Sequence, residues 1–276
     1  MEHRQRTVLT TGANSGIGLA TVIELARRGF HSVGSVRSPA KAEVVHRAAR
    51  DAGVAVDTVL LDVTDAARCE EVIAGFELYG LVNNAGYPVT GAVEDVGDDE
   101  ARQLLETMVV APMRLARLAL PGMRDRGGGR IVNVSSIAGL VSAPFSGWYT
   151  GAKHALEALS DSLRMEVARD GVKVVLVEPG GFRTGIWDDV QRDIERLEAA
   201  GSRNAAAYER FLRIQRLMER VMGEPAGCAR VIADAVEAAN PNGRYLVGLD
   251  ARAIELSNRV TPPFVRDRFL RALLGI

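Results

Sequence analysis

Tyr149 and Lys153 stand four residues apart in the stretch WYTGAKHAL (148–156), with only small residues between them. If the stretch is helical, both side chains project from one face, a turn apart. An ammonium beside a phenol favours the phenolate, the pairing that an acid/base tyrosine needs. Free tyrosine titrates near ~10, so half-ionising it at pH 7 takes about three pH units, or ~4 kcal/mol. A surface helix carrying an incidental pair has the same spacing, so other residues must decide.

A second set could hold phosphate. TVLTTGANSGIG places Gly12, Gly16 and Gly18 between an apolar β-rich run and a helical one, with Asn14, Ser15 and Ile17 in the same turn. Glycines there let backbone N–H groups and a helix N-terminus approach a pyrophosphate. The second β-rich run ends in Val36 and then Arg37. An NAD-selective site usually offers a carboxylate at that point for the ribose hydroxyls. Here no carboxylate repels a 2′-phosphate, and the planar fork of Arg37 can grip one. That selects NADP(H). Asp62, followed by Val63, closes the third run and is placed either to accept from an adenine amino group or to cap a turn.

These residues need a scaffold, and the chain supplies a repetitive one. Residues 7–11, 32–36, 55–61, 80–86, 130–136, 173–179 and 243–248 read as strands, nearly continuous in apolar and β-branched residues. Helical periodicity fills intervals such as 16–28, 65–77, 101–126 and 149–169. Repeated βαβ units of this length predict a Rossmann-like, doubly wound parallel α/β sheet in a single domain, 1–276. Residues 185–222 break the alternation with two helix-spaced apolar stripes, Ile186/Val190/Ile194/Leu197 and Phe211/Ile214/Leu217/Val221. They are expected to form either surface helices or a substrate lid.

Bulk properties narrow the function classes. The 276 residues are 47% hydrophobic and 25% charged with a formal net charge of −1, which gives no reason to expect nucleic acid or anionic membrane as a partner. Cys69 and Cys228 have no metal-ligand spacing and are expected to be buried; His3, His31 and His46 are scattered. No metal site is expected. The N-terminal MEHRQRTVLTTG runs directly into a strand without a signal-peptide pattern, and no apolar run reaches the roughly 18–20 residues of a membrane span. The expectation is a soluble, cytoplasmic protein acting on a small molecule.

The ordered motifs resemble the short-chain dehydrogenase/reductase family across essentially the whole chain: Thr11-Gly12-x-x-x-Gly16-x-Gly18, Asn83-Asn84-Ala85-Gly86, Ser136 thirteen positions before Tyr149, Lys153, and Pro179-Gly180. NGRYLVGLDAR near the C-terminus is similar to the retinol and 17β-hydroxysteroid dehydrogenase branch. The resemblance implies hydride transfer between NADP(H) and an alcohol or ketone. Tyr149 would be the acid/base group, Lys153 its electrostatic partner and ribose ligand, and Ser136 the donor to the substrate oxygen. Ser136 is preferred to its neighbour Ser135, which faces the other way along a strand. Asn84, Ala85 and Gly86 would line the adenine ribose, Pro179 and Gly180 the cofactor, and Thr184 would hold the nicotinamide carboxamide. Val141, Phe145, Trp148 and Phe182 flank the expected site and imply a fairly apolar substrate. A homodimer or homotetramer is implied by the resemblance alone.

One position departs from the pattern. Family members place an asparagine in the helix before the fifth strand, where it kinks the helix and holds a water leading to the lysine; the alignment puts Met108 there. A methionine side chain cannot hold a water in a relay. This leaves a second reading, a catalytically impaired NADP(H)-binding regulator.

Overall fold

The structure is a computed structural model describing residues 6–276; His3 and the start of the N-terminal stretch lie outside the described residues. Seven strands form one sheet: β1 (Thr7–Thr10), β2 (His31–Val36), β3 (Asp57–Leu60), β4 (Leu78–Asn83), β5 (Gly129–Val134), β6 (Val172–Pro179) and β7 (Arg244–Val247). All neighbours pair in parallel, in the order β3-β2-β1-β4-β5-β6-β7. The central strands are apolar on both faces because both are covered. Leu9, Leu81, Ile131 and Val174 enter one core with α3 (Ala66–Ala74) and α5 (Ala111–Asp125), while Val8, Val82, Val132 and Val175 enter the other with α1 (Gly16–Arg27) and α9 (Pro225–Glu237). Both cysteines are free and buried in these layers.

Because β1 lies between β2 and β4, the chain winds outward in two directions and leaves a crevice at the carboxyl ends of β1 and β4, where such sheets bind ligands. The register Thr10↔Val82 sets the glycine turn beside Asn84. A buried polar chain then fixes the helix carrying Tyr149, α6 (Gly147–Glu166). Asn83 donates to Asn133 at 2.8 Å, Asn133 to Ser160 at 2.8 Å, and Ser160 to the Leu156 carbonyl at 2.6 Å.

The helix expected over 101–126 is broken. It comprises α4 (Asp98–Leu105), a π-helical turn at 106–110, and α5. Pro112 supplies the reason: it has no N–H to give, so the Met108 carbonyl four residues back lacks its α-helical donor. The Ala111 N–H closes instead on the Glu106 carbonyl, five residues back. The kink is therefore present without an asparagine.

Residues 185–222 fold into α7 (Ile186–Ala199) and α8 (Ala205–Met218) with a short 3-10 turn after them. The first stripe packs inward through Val190, Ile194 and Leu197. The second is only half correct. Phe211 and Ile214 pack, but Leu217 and Val221 are 59% and 70% exposed, and the buried positions of α8 are Ala207, Tyr208 and Gln215. The remaining helices are α2 (Pro39–Asp51), α10 (Leu249–Val260) and α11 (Pro263–Leu274). Among the described residues no helix is long and apolar enough to cross a membrane.

Candidate active site

A single cleft of about 1520 Å³ runs along the carboxyl ends of the strands. Its nucleotide end is built from the turn after β1. Gly16 has φ +51°, and a Cβ there would meet Thr184 Cγ2 at 2.9 Å. A Cβ on Gly18 would press into the Gly12 carbonyl and the Asn84 amide. The glycines thus leave a backbone-lined cradle at the N-terminus of α1, whose N-cap Ser15 makes no side-chain capping bond. Asn14, Ser15 and Ile17 line the same wall.

Thr11 ties this turn to the one after β4. Its hydroxyl accepts from the N–H groups of Asn84 and Ala85 at 2.9 and 3.0 Å, and the Asn84 amide donates to the Thr11 and Gly12 carbonyls at 2.9 and 3.2 Å. Asn84 therefore braces two loops; its amide N–H groups are occupied, although it, Ala85 and Gly86 do line the cleft.

Arg37 lies exposed at the rim, directly after buried Val36. Lys41, one turn into α2, lines the cleft beside it, and the sequence reading missed it. Its signal was available, since Arg37 and Lys41 flank the Ser38-Pro39 helix start. Asp62 Oδ1 accepts from the N–H and hydroxyl of Thr64 at 3.0 and 2.8 Å, so the turn-capping alternative is realised. Burial pushes that carboxyl up, but the two Thr64 bonds and the charge of Arg37 outweigh it and hold it below the usual range. Asp62 and Val63 both line the cleft wall.

At the other end Ser136, Tyr149 and Lys153 converge. Ser136 follows β5, and its Oγ accepts from the Ala138 N–H at 3.1 Å, within reach of the Pro179 carbonyl at 3.5 Å. Ser136, Tyr149 and Lys153 all line the cleft. Burial pushes the Tyr149 phenol up, and Ser136 offsets this only in part. Lys153 is 6% exposed and donates to the Val134 carbonyl at 2.8 Å, with its nitrogen 5.8 Å from the Tyr149 ring centre. Burial pulls the ammonium down to about 8, opposed by Glu157. The lysine donates to a backbone carbonyl, and burial is the larger influence on the tyrosine.

Val141 and Phe182 line the cleft as expected, as do Pro179, Gly180 and Thr184, the last packed over Gly16. Phe145 and Trp148 do not. Phe145 is buried at φ +66° and makes edge contacts with Tyr208 and Phe211, anchoring the α7–α8 unit. Trp148 packs on the other side with Met108. Met108 itself fills the space against Gly86, where an added Cβ would meet its Cε at 3.3 Å. The far wall comes instead from Trp187, Ile214 and Met222, with Asn258, Arg266 and Phe269 from α10 and α11.

A sheet wound in this order, with a glycine cradle at one end of its crevice and Ser136, Tyr149 and Lys153 at the other, defines a dinucleotide-dependent oxidoreductase scaffold. The chain belongs to the short-chain dehydrogenase family, whose model matches residues 6–195. It is 34% identical to the Escherichia coli K12 protein YbbO, an uncharacterised oxidoreductase, over 97% of this chain and 94% of that one. Mouse retinol dehydrogenase 16 is 31% identical over 97% of this chain and 88% of its own, which places retinol dehydrogenases among the relatives. A solved actinorhodin polyketide ketoreductase with NADPH superposes with a TM-score of 0.76 at 27% identity, covering 88% of this chain and 95% of that one.

Proposed function

We propose that the protein is an NADP(H)-dependent oxidoreductase acting on the carbonyl, or the corresponding secondary alcohol, of a fairly apolar substrate, with Tyr149 as the acid/base group. The observation that carries this is the meeting of Ser136, Tyr149 and Lys153 in the same cleft as the Gly12–Gly18 cradle. NADP(H) fits the residues present. The cradle admits a pyrophosphate because its glycines lack Cβ atoms, and Arg37 with Lys41 supplies two cations where β2 ends in Val36 rather than in a carboxylate. Asp62, Val63, Asn84, Ala85 and Gly86 would flank the adenosine; Lys153, Pro179, Gly180 and Thr184 would hold the nicotinamide half. When bound, the cofactor supplies or accepts the hydride.

The chain's own groups handle the proton. A phenol raised by burial is protonated at neutral pH, so Tyr149 is a donor and suits reduction. Tyr149 would give its proton to the carbonyl oxygen, and Ser136 would donate a hydrogen bond to the same oxygen. The phenolate left behind is stabilised by the Lys153 ammonium and is reprotonated from solvent. Val141, Phe182 and Trp187 favour an apolar body around the reacting group. A volume of about 1520 Å³ exceeds the roughly 300–1,000 Å³ of a single drug-sized pocket and suits two ligands together.

The reading of an impaired regulator rests on Met108. The π-helical turn survives there because Pro112 imposes it, and the three reacting side chains remain assembled, so the enzymatic reading is favoured. Purified protein mixed with NADPH and a panel of apolar ketones tests it by loss of the reduced-nicotinamide absorbance. Tight NADPH binding with no oxidation across the panel would favour the regulator instead.

A further inference from the structure

Glu157 lies one helical turn beyond Lys153 on α6 and is 5% exposed. Its Oε2 takes a hydrogen bond from Nη1 of Arg244 on β7. The same nitrogen serves Glu178 of β6 at 2.5 Å, and Arg244 Nη2 holds Asp161 at 2.6 Å. Asp161 is also held by Arg164 at 2.7 Å. Glu157 Oε1 has no hydrogen-bond partner among the described residues. It points to the space over Gly139, where an added Cβ would lie 3.0 Å from it and 2.8 Å from Ser135 Oγ, which is also unpartnered. Ser135 follows Val134, the residue whose carbonyl receives Lys153, so the free carboxylate oxygen and the ammonium sit at the same end of β5.

We infer that Glu157 is a positioning residue for the reaction, a buried carboxylate, fixed in place by Arg244, that keeps the Lys153 ammonium charged beside Tyr149. This rests on the reading of Lys153 as the charge behind the acid/base tyrosine. A buried ammonium with one carbonyl acceptor tends to lose its proton, and only a nearby negative charge prevents that. Among the described residues, the elements around this face of α6 present no second free carboxylate. The turn at 137–139 presents Gly139, the π-helical turn presents Met108, and its Glu106 is bound to Arg114 at 2.5 Å. Burial and the neighbouring Glu157 push the Glu178 carboxyl up to about 7. The ladder Tyr149, Lys153, Glu157, Asp161 thus runs down one stripe of α6 from the phenol to the half-exposed end of the network.

The chain has only three lysines, Lys41, Lys153 and Lys173, which makes the test direct. In protein labelled with 13C-lysine, the Lys153 signal is assigned by its loss in Lys153→Met and titrated against pH without cofactor or substrate. Glu157→Gln, which keeps an acceptor for Arg244, should lower its midpoint by about one pH unit or more. Glu157→Asp should lower it less, and carries the test if the glutamine variant does not fold. Asp161→Asn removes a carboxylate from the same arginine but lies two turns from Lys153, and should leave the midpoint in place. In turnover, Glu157→Gln should move the alkaline limb of the pH profile downward by a similar amount with the NADPH KM unchanged. An unmoved Lys153 midpoint in Glu157→Gln, or an equal movement in Asp161→Asn, would overturn the proposal. Because the titration needs no substrate, a displaced midpoint in a protein that reduces no ketone would overturn the functional reading and leave this one standing.

Discussion

Lys153 gives its ammonium to the Val134 carbonyl at 2.8 Å rather than to the phenol of Tyr149, whose ring centre lies 5.8 Å away. The two residues stand one turn apart on α6, as their spacing predicts. Burial raises the phenol, and under the proposed function the lysine is the charge that would stabilise the phenolate. That arrangement favours donating a proton over removing one.

Burial of that lysine should be visible in stability. The folded midpoint of about 8 lies below the ordinary 10.5, so the unfolded chain holds more protons between these values and stability rises with pH across that window. Below pH 8 the charged lysine costs folding up to about 3 kcal/mol, against about 1 kcal/mol returned by its hydrogen bond. Lys153→Met should therefore be more stable than wild type by ~2 kcal/mol at pH 7, with the advantage shrinking towards pH 10.5. Urea denaturation at pH 7 and 9.5 measures this. A constant difference at both pH values would show that the lysine is not depressed.

Cofactor choice should follow the two cations at the rim. A hydrogen bond to a charged group contributes about 1.5–3 kcal/mol, reduced at an exposed site by salt. Wild-type protein should bind NADPH at least about tenfold more tightly than NADH. Arg37→Ala and Lys41→Ala should each weaken NADPH and spare NADH, and Val36→Asp should tilt the site towards NADH by repelling the 2′-phosphate. Equal wild-type affinities in a fluorescence titration would remove the phosphate role.

The α7–α8 segment is expected to close over substrate by moving at its ends, because its middle is pinned. Asp193 accepts from the Thr90 N–H at 2.9 Å, Ser202 donates to Asp95 at 2.6 Å, and Tyr208 also bonds Asp95. Limited proteolysis should cut within 183–189 and 216–223 in the free protein, with NADP and a product analogue together protecting both stretches. Identical cleavage with and without ligands would mark the helices as static.

The sheet, the glycine cradle and the Ser136–Tyr149–Lys153 set were legible in sequence because local pattern specifies them: strand runs covered on both faces, glycines at a strand–helix turn, and a helical spacing of four. What was not legible depends on which way a side chain turns. Phe145 reads as a pocket wall by proximity to Tyr149, yet its backbone turn sends it under Tyr208 and Phe211. The second apolar stripe fails at Leu217 and Val221 because α8 ends there and nothing covers them among the described residues. The charge around Lys153 depends on Glu178 and Arg244, which only the sheet order brings beside Glu157. The π-helical turn is legible from Pro112, whose missing N–H leaves the Met108 carbonyl without its α-helical donor.

Under the proposed function Tyr149 carries the proton. The most direct test of this is the rate of NADPH oxidation with a reducible ketone under single-turnover conditions, wild type against Tyr149→Phe, with NADPH affinity measured alongside by fluorescence. Loss of the phenol should leave the affinity within about twofold and cut the rate by at least about 10²-fold, the scale expected for a general acid. A Tyr149→Phe protein that reduces the ketone at a rate comparable to wild type would contradict the mechanism.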